Sequence, residues 1–385
     1  MAERNGHYRS INRPIDIVMN TWKKTFALIV LGSLPGFLAG QQRPPVEMYF
    51  AGDIMQHDPQ LAAARVDSSQ YDYTECFQYV ASEIQAATIA LANLELPLGV
   101  LPYSGYPRFC APVAFAVAVK QAGFDILVTA NNHSLDRYKK GVIRTVEILD
   151  SLKIPHTGVF RDTTERARRY PMLFQKNGIR FALLNYTYGT NGIPHRPPTY
   201  VNVIDTVRIK KDIEVAKSRR PDIIIACMHW GLEYKMLPEK SQMELADFLT
   251  GQGVDVVIGG HPHVVQPMHA PTDSTGRIEN VVVYSLGNYI SNQKNIDTQG
   301  GATVRITFVK EDSGVRIADC SYGLVWVWKP VVDGRQKFYL LPVREAEKKA
   351  FPLSDGDYVR MNTFAKNARQ IFHKYNTNVK EYQPE

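Results

Sequence analysis

Asp255-Val-Val-Ile-Gly-Gly-His-Pro-His-Val-Val-Gln266 joins a strand to two imidazoles in a dozen residues. Val254 to Ile258 is a short, mostly apolar run and reads as a buried strand. It stops at Gly259-Gly260, where a backbone without Cβ atoms can turn sharply. His261 and His263 follow, with Pro262 between them. An apolar strand that delivers two histidines onto a glycine-bounded loop is a direct way to present metal ligands at a sheet edge. Two ordinary loop histidines would read the same from this stretch alone.

Working outward, the same pattern recurs. Val46 to Phe50 reads as a strand that runs into Gly52-Asp53, and Thr88 to Ala92 as one that ends at Asn93-Leu94-Glu95. Phe124 to Thr129 leads into Asn132-His133, and Asp222 to Met228 into His229. Helical spacing is expected over 75–87, 114–122, 142–149, 207–217 and 239–249. Met172–Gln175 and Arg180–Leu184 form a hairpin across Lys176-Asn177-Gly178. Strands alternating with helices argue for a layered α/β sheet, and the hairpin makes it mixed rather than purely parallel. Beyond the opening stretch, Val281–Tyr284, Ala302–Val309 and Gln336–Leu341 read as antiparallel strands, 364–372 as a terminal helix and the last dozen residues as frayed.

In open α/β sheets, ligands gather outside the carboxyl ends of strands. Asp53, Glu95, Asn132, His229, His261 and His263 all stand there, which makes them the candidate metal ligands, with His57 a weaker one. Carboxylate, amide and imidazole donors without thiolate suit zinc, manganese or iron. So many donors exceed what one tetrahedral ion needs, and two divalent ions fit better. Asp136, three residues after His133, is placed to orient it, leaving His133 as a general acid or a stabiliser of developing negative charge.

The 385 residues allow a large core, and composition is that of a globular protein, with 44% apolar and 22% charged residues. Of the formal charge of +7, residues 1–24 carry +3. The remaining excess can attract anionic substrates, but without a dense Lys/Arg stripe it excludes nucleic acid as the partner. Lys23-Lys24, the apolar run Phe26 to Leu38 and Ala39-Gly40 have the layout of a secretory signal. This predicts that residues 1–40 export the chain to the cell envelope or anchor it there. The run is shorter than the roughly 20 residues of a membrane span. Cys76, Cys110, Cys227 and Cys320 form no C-x-x-C pair, and an exported chain could join Cys76 to Cys110.

Gly-Asp-Ile-Met (52–55), Ala-Asn-Leu-Glu (92–95), Thr-Ala-Asn-Asn-His-Ser-Leu-Asp (129–136), His-Trp-Gly-Leu-Glu-Tyr (229–234), Gly-His-Pro-His-Val-Val-Gln (260–266) and Tyr-Ser-Leu-Gly-Asn-Tyr (284–289) resemble the CapA family of capsule synthesis proteins. The resemblance implies a calcineurin-like metallophosphoesterase fold, a four-layer αββα sandwich, over residues 46–310, with residues 311–385 as accessory strands and a helix. It also implies a role in poly-γ-glutamate capsule synthesis, export or modification. Relative to the wider superfamily, Asp53-x-x-x-His57, Asn93-Leu94-Glu95 and Asn131-Asn132-His133 depart from Asp-x-His, Gly-Asp-x-x-Asp and Gly-Asn-His. Two readings remain open. One is a metal-dependent hydrolase acting on an anionic polymer or on a phosphorylated or γ-glutamyl substrate. The other is a non-catalytic assembly factor of a membrane polymer-synthesis complex that keeps a structural metal.

Overall fold

The structure, a computed structural model, describes residues 16–17 and 43–383. Apart from Asp16–Ile17, the export segment expected at residues 1–40 lies outside the described residues. The first half of the chain contains β1 (Val46–Ile54), α1 (Asp58–Ala64), α2 (Ala81–Ala86), β2 (Ile89–Leu94), α3 (Val113–Ala122), β3 (Ile126–Val128), α4 (Tyr138–Ser151) and β4 (His156–Thr157). The second half contains β5 (Met172–Lys176), β6 (Ile179–Thr187), α5 (Thr206–Ser218), β7 (Ile223–His229), α6 (Lys240–Gly251), β8 (Val256–Gly260), β9 (Met268–His269) and β10 (Val281–Val283). The chain then returns through β11 (Asn288–Ile290), β12 (Gly300–Glu311), β13 (Gly314–Trp328), β14 (Tyr339–Pro342) and α7 (Asp355–Tyr375).

Among the described residues these strands form two large sheets. One runs β14-β13-β12-β1-β2-β3-β4, with β11 beside β1; the other runs from Asp16–Ile17 through β5-β6-β7-β8-β10-β9. The strands β1 to β4 are parallel, as are β6, β7, β8 and β10. Both sheets are therefore mixed.

Side-chain alternation explains the layering. Val46, Met48 and Phe50 of β1 point into one apolar core with Phe181, Leu183, Ile223, Ile225, Val256 and Ile258 of the other sheet. Their neighbours Tyr49 and Ala51 point the opposite way, into a core with Phe115 and Val119 of α3. On the far side, Ala182, Leu184, Ala226 and Met228 pack against Ile209 and Ile213 of α5 and Leu249 of α6. Helices, sheet, sheet, helices is a four-layer αββα sandwich.

Several local expectations need correction. The helix expected over 75–87 is broken into a 3-10 turn at Thr74–Phe77 and the short α2. Val281–Val283, expected to be antiparallel, pairs parallel with β8 and antiparallel only with β9. The accessory strands expected past residue 310 include the 15-residue β13, longer than any strand read from the sequence, whose Trp326 and Trp328 face the intersheet core. The strand expected over 336–341 is β14, shifted to Tyr339–Pro342. The terminal helix is longer than 364–372, and Lys380–Glu381, expected to fray, pairs with Ser321–Tyr322. Residues past 310 extend the sheet that contains β1 to β4, since the boundary falls within the β12–β13 hairpin. Cys76 and Cys110 are free thiols, with Cys110 Sγ accepting the Val100 N–H at 3.4 Å. Among the described residues, no helix is long and apolar enough to cross a membrane.

Candidate metal centre

The carboxyl ends of both sheets meet at one place, and three backbone features make the meeting possible. In the β1–β2 pairing, Ala51 faces Ala92 but Asp53 faces Asn93, so Gly52 is an extra residue. Without this bulge Asp53 would share the outward face of Tyr49 and Ala51; the bulge turns it to the intersheet side with Asn93. The bulged residue has to be glycine, because a Cβ there would lie 2.0 Å from the Gly287 carbonyl oxygen. Across the gap, Gly260 leaves room for the acid, since its Cβ would fall 2.7 Å from Asp53 Oδ1.

The remaining ligands come from turns under strain or tightly bound. His261 and His263 sit at φ 96° and 58°, in left-handed regions that side chains other than glycine occupy at a cost. The turn after β3 is held by Asn131 Nδ2 donating to the Leu94 carbonyl at 2.8 Å and by Ser134 Oγ donating to the Thr129 carbonyl at 2.8 Å. Asn185 Oδ1 accepts the Ala130 N–H at 2.7 Å from the neighbouring sheet.

Asp53 Oδ1 accepts from Asn93 Nδ2 at 2.8 Å and Oδ2 from the His261 N–H at 3.1 Å. His263 Nδ1 stands 3.6 Å from Asp53 Oδ2 and 3.0 Å from Asn288 Oδ1. His229 Nε2 lies 2.9 Å from Asn132 Oδ1 and 3.5 Å from Glu95 Oε1. Asp53, Glu95 and His229 form one group whose donor atoms lie within 4.8 Å of one another, and Glu95, His261 and His263 form a second. Glu95 belongs to both, as a bridging carboxylate would.

Burial pushes the Asp53 carboxyl up, yet the close approach of His263, the nearby His229 and the Asn93 donor overcome this and hold it below the usual range. Burial drives Glu95 well above that range, with Asp53 adding repulsion. His229 is pushed well below its ordinary value by burial and by His261, and His261 falls to about 3 through burial and His263. The imidazoles of His229 and His261 are therefore neutral and able to donate lone pairs.

The fit to metal ions rests on unmet polar atoms. Glu95 is fully buried, and neither of its oxygens has a hydrogen-bond partner; His261 Nδ1 has none either. Buried polar atoms are almost always satisfied, so this group has the form of a site prepared for cations. The donors are oxygen and nitrogen, the set expected of zinc, manganese or iron. His133 stands beside the cluster, its Nδ1 2.7 Å from Asp136 Oδ2, which also accepts the Phe109 N–H at 2.7 Å. The Phe109 ring meets His133 edge-on at 4.6 Å and His57 at 5.1 Å. His57 lies outside both ligand groups among the described residues; its Nδ1 accepts the Asn292 N–H at 3.2 Å.

The sequence reading missed Asn93 and Asn288. Each is a polar residue at the end of an apolar run, the signal that picked out Asp53, and β11 places Asn288 opposite Asp53.

Residues 47–293 match the family described as bacterial capsule synthesis protein PGA_cap. The chain is 25% identical over 299 residues to the capsule biosynthesis protein CapA of Bacillus anthracis, covering 72% of this chain and 67% of that one. It is 25% identical over 283 residues to the PGA biosynthesis protein CapA of Bacillus subtilis (strain 168), covering 69% and 68%. Among solved structures, the calcineurin-like phosphoesterase YfkN from Bacillus subtilis aligns at a TM-score of 0.39 with 13% identity, over 85% of this chain and 99% of that one.

Proposed function

The chain belongs to the PGA_cap family of bacterial capsule synthesis proteins, and we propose that it is a metal-dependent hydrolase, or a related enzyme, of the cell envelope. Its substrate on this reading is an anionic polymer or a phosphorylated or γ-glutamyl intermediate of capsule synthesis. One observation carries the proposal. Glu95 is buried without a hydrogen-bond donor among Asp53, His229, His261 and His263, where a bound cation would stabilise its carboxylate.

Asp53, Glu95, Asn132, His229, His261 and His263 would hold one or two divalent ions. When bound, such ions polarise a phosphoryl or carbonyl oxygen and lower the pKa of bound water. The chain's own residues do the rest. Asn93 and the His261 N–H hold Asp53, Asn288 holds His263, and Asn132 holds His229. Asp136 holds the Nδ1 side of His133, which leaves Nε2 to give or take a proton at a substrate oxygen or nitrogen.

Metal analysis of the purified chain tests the site, with one or two transition-metal ions per chain expected. A well-folded chain that binds no metal would sink the proposal. A panel of phosphoesters and γ-glutamyl peptides tests the chemistry, with turnover lost in His133→Ala. Normal metal content and assembly into a membrane complex, with no turnover on any member, would point instead to an assembly factor.

A further inference from the structure

The end of the molecule opposite the metal cluster is where the chain enters β1, and its loops carry unpaired cations. The Pro45 carbonyl accepts from Asn177 Nδ2 at 3.1 Å, and the Arg43 guanidinium lies over Gly178, where a Cβ would collide with it. The β5–β6 hairpin therefore marks the point of entry. Beside it, α5 ends at Ser218 between Lys217 and the pair Arg219-Arg220. Pro221-Asp222 then leads onto Arg180, whose carbonyl accepts the Asp222 N–H at 2.7 Å. Lys217 Nζ reaches the next loop, 3.2 Å from where Gly253 would carry a Cβ.

The neighbouring acids are engaged. Asp222 draws Lys310 to 2.8 Å and Arg180 to 3.7 Å, Asp255 accepts the Ile224 N–H, and Glu311 pairs with Arg277 and Arg316. Arg43, Lys217, Arg219 and Arg220 are exposed and form no ion pair among the described residues. Four such cations on one pole favour an anionic surface.

The length of chain ahead of Arg43 says which kind. The apolar run Phe26 to Leu38 ends five peptide units before Arg43, a reach of at most about 18 Å. A bilayer that receives this run passes within that distance of Arg43 and meets the basic pole. A soluble polyanion would match the charge but not the tether. The metal cluster lies at the far end, because β7 runs seven residues from Ile223 to His229, setting His229 about 20 Å from Asp222.

We propose that the pole formed by Arg43, Lys217, Arg219 and Arg220 is a docking surface for an anionic bilayer, which holds the chain with its metal centre facing away from the lipid. This rests on the reading of residues 1–40 as a segment that anchors the chain at the envelope.

The test uses the full chain with vesicles of phosphatidylcholine, alone or mixed with anionic phosphatidylglycerol. Sedimentation reads partition, and hydrogen exchange reads the surface in contact. On anionic vesicles, exchange is expected to slow over residues 176–180 and 216–222 and to stay unchanged over 186–192 and 231–239 at the mouth. Arg219→Gln with Arg220→Asn, asparagine being suited to the φ of 53° there, is expected to weaken partition about thirtyfold, the scale of two basic residues at an anionic surface. Lys210→Gln with Lys211→Gln removes the same charge about 13 Å back along α5, beyond a Debye length of about 8 Å. That pair is expected to weaken partition by less than about threefold, since screening isolates it from the lipid. The surface is overturned if the two pairs act equally, if protection falls on the mouth loops instead, or if neutral and anionic vesicles bind the parent alike. It is also overturned if soluble polyphosphate protects the pole where vesicles do not. A chain that stays off neutral vesicles would defeat the anchoring reading, and anionic vesicles would still judge the pole separately.

Discussion

The two ends of the parallel strands use acidic residues for opposite purposes. At the amino ends, Asp125, Asp222 and Asp255 stand just before β3, β7 and β8. Each turns a carboxylate oxygen onto a backbone N–H of the adjacent strand that precedes it in the chain: Ala90 at 2.8 Å, Arg180 at 2.8 Å and Ile224 at 2.7 Å. Lys310 Nζ adds an ion pair to Asp222 at 2.8 Å. At the carboxyl ends, Asp53 has donors on both oxygens, but Glu95 has none. An acid that completes a hydrogen-bond ladder is accounted for within the fold. An acid buried without a donor disfavours the metal-free fold, and such breaks of a local rule fall at functional sites.

The largest effect should come from removing donors at the carboxyl end. His261→Ala with His263→Ala is expected to reduce bound metal to under about one-tenth of the parent, consistent with the loss of two ligands. Glu95→Gln is expected to weaken metal binding strongly while the metal-free chain melts no lower, because a neutral amide replaces a carboxyl whose charged form burial disfavours. Asp222→Ala should do the reverse, costing about 1–3 kcal/mol in denaturant unfolding with metal content unchanged. If Glu95→Gln destabilised the metal-free chain as Asp222→Ala does, the contrast between the two ends would be wrong.

A pH series sharpens the same contrast. Glu95 has its pKa raised by burial, so the stability linked to its neutral form is present below the ordinary carboxylate range and lost as pH rises through the raised value. His229 and His261 have theirs depressed, so their contribution is present above about 6.5 and lost as pH falls through the folded values, about 3 for His261. Between these limits His229 and His261 are already neutral, and the raised pKa makes Glu95 the group from which a metal must displace a proton. The rise in melting temperature on adding manganese should therefore grow from about pH 5 to pH 8, and Glu95→Gln should flatten that slope. A slope unchanged in Glu95→Gln would place the displaced proton elsewhere.

Much of this was legible in the sequence because it obeys a period. Apolar runs of four to seven residues ending in Asp, Glu, Asn or His marked the parallel strands and the residues they deliver. The stretch from Asp255 to His263 even contains both ends of one strand, the ladder-closing acid and the ligand pair. What was not legible depends on neighbours far away in sequence. The bulge at Gly52 exists only in the pairing of β1 with β2, and the role of Asn288 only through β11 lying beside β1. Local pattern also left the length of β13 open, because Asp319 falls at a register shift in the β12 pairing and Gly323 interrupts its apolar alternation.

The smallest effect concerns His57, which stands just before α1 at the edge of the centre. Its N–H donates to Gln60 Oε1 at 2.9 Å and its Nδ1 accepts from Asn292 N–H, so its visible bonds are those of a helix start and a loop tie. Burial lowers its pKa to about 4, so the stability it contributes is present above about 6.5 and fades as pH falls toward 4. His57→Asn keeps a residue favoured at helix starts and should change stability by under about 1 kcal/mol, with metal content as in the parent. His57→Ala should cost somewhat more through the lost loop tie. Loss of half the bound metal in His57→Asn would move this histidine from the supporting structure into the ligand set, and the boundary between the two kinds of strand-end residue would have to be redrawn one turn further out.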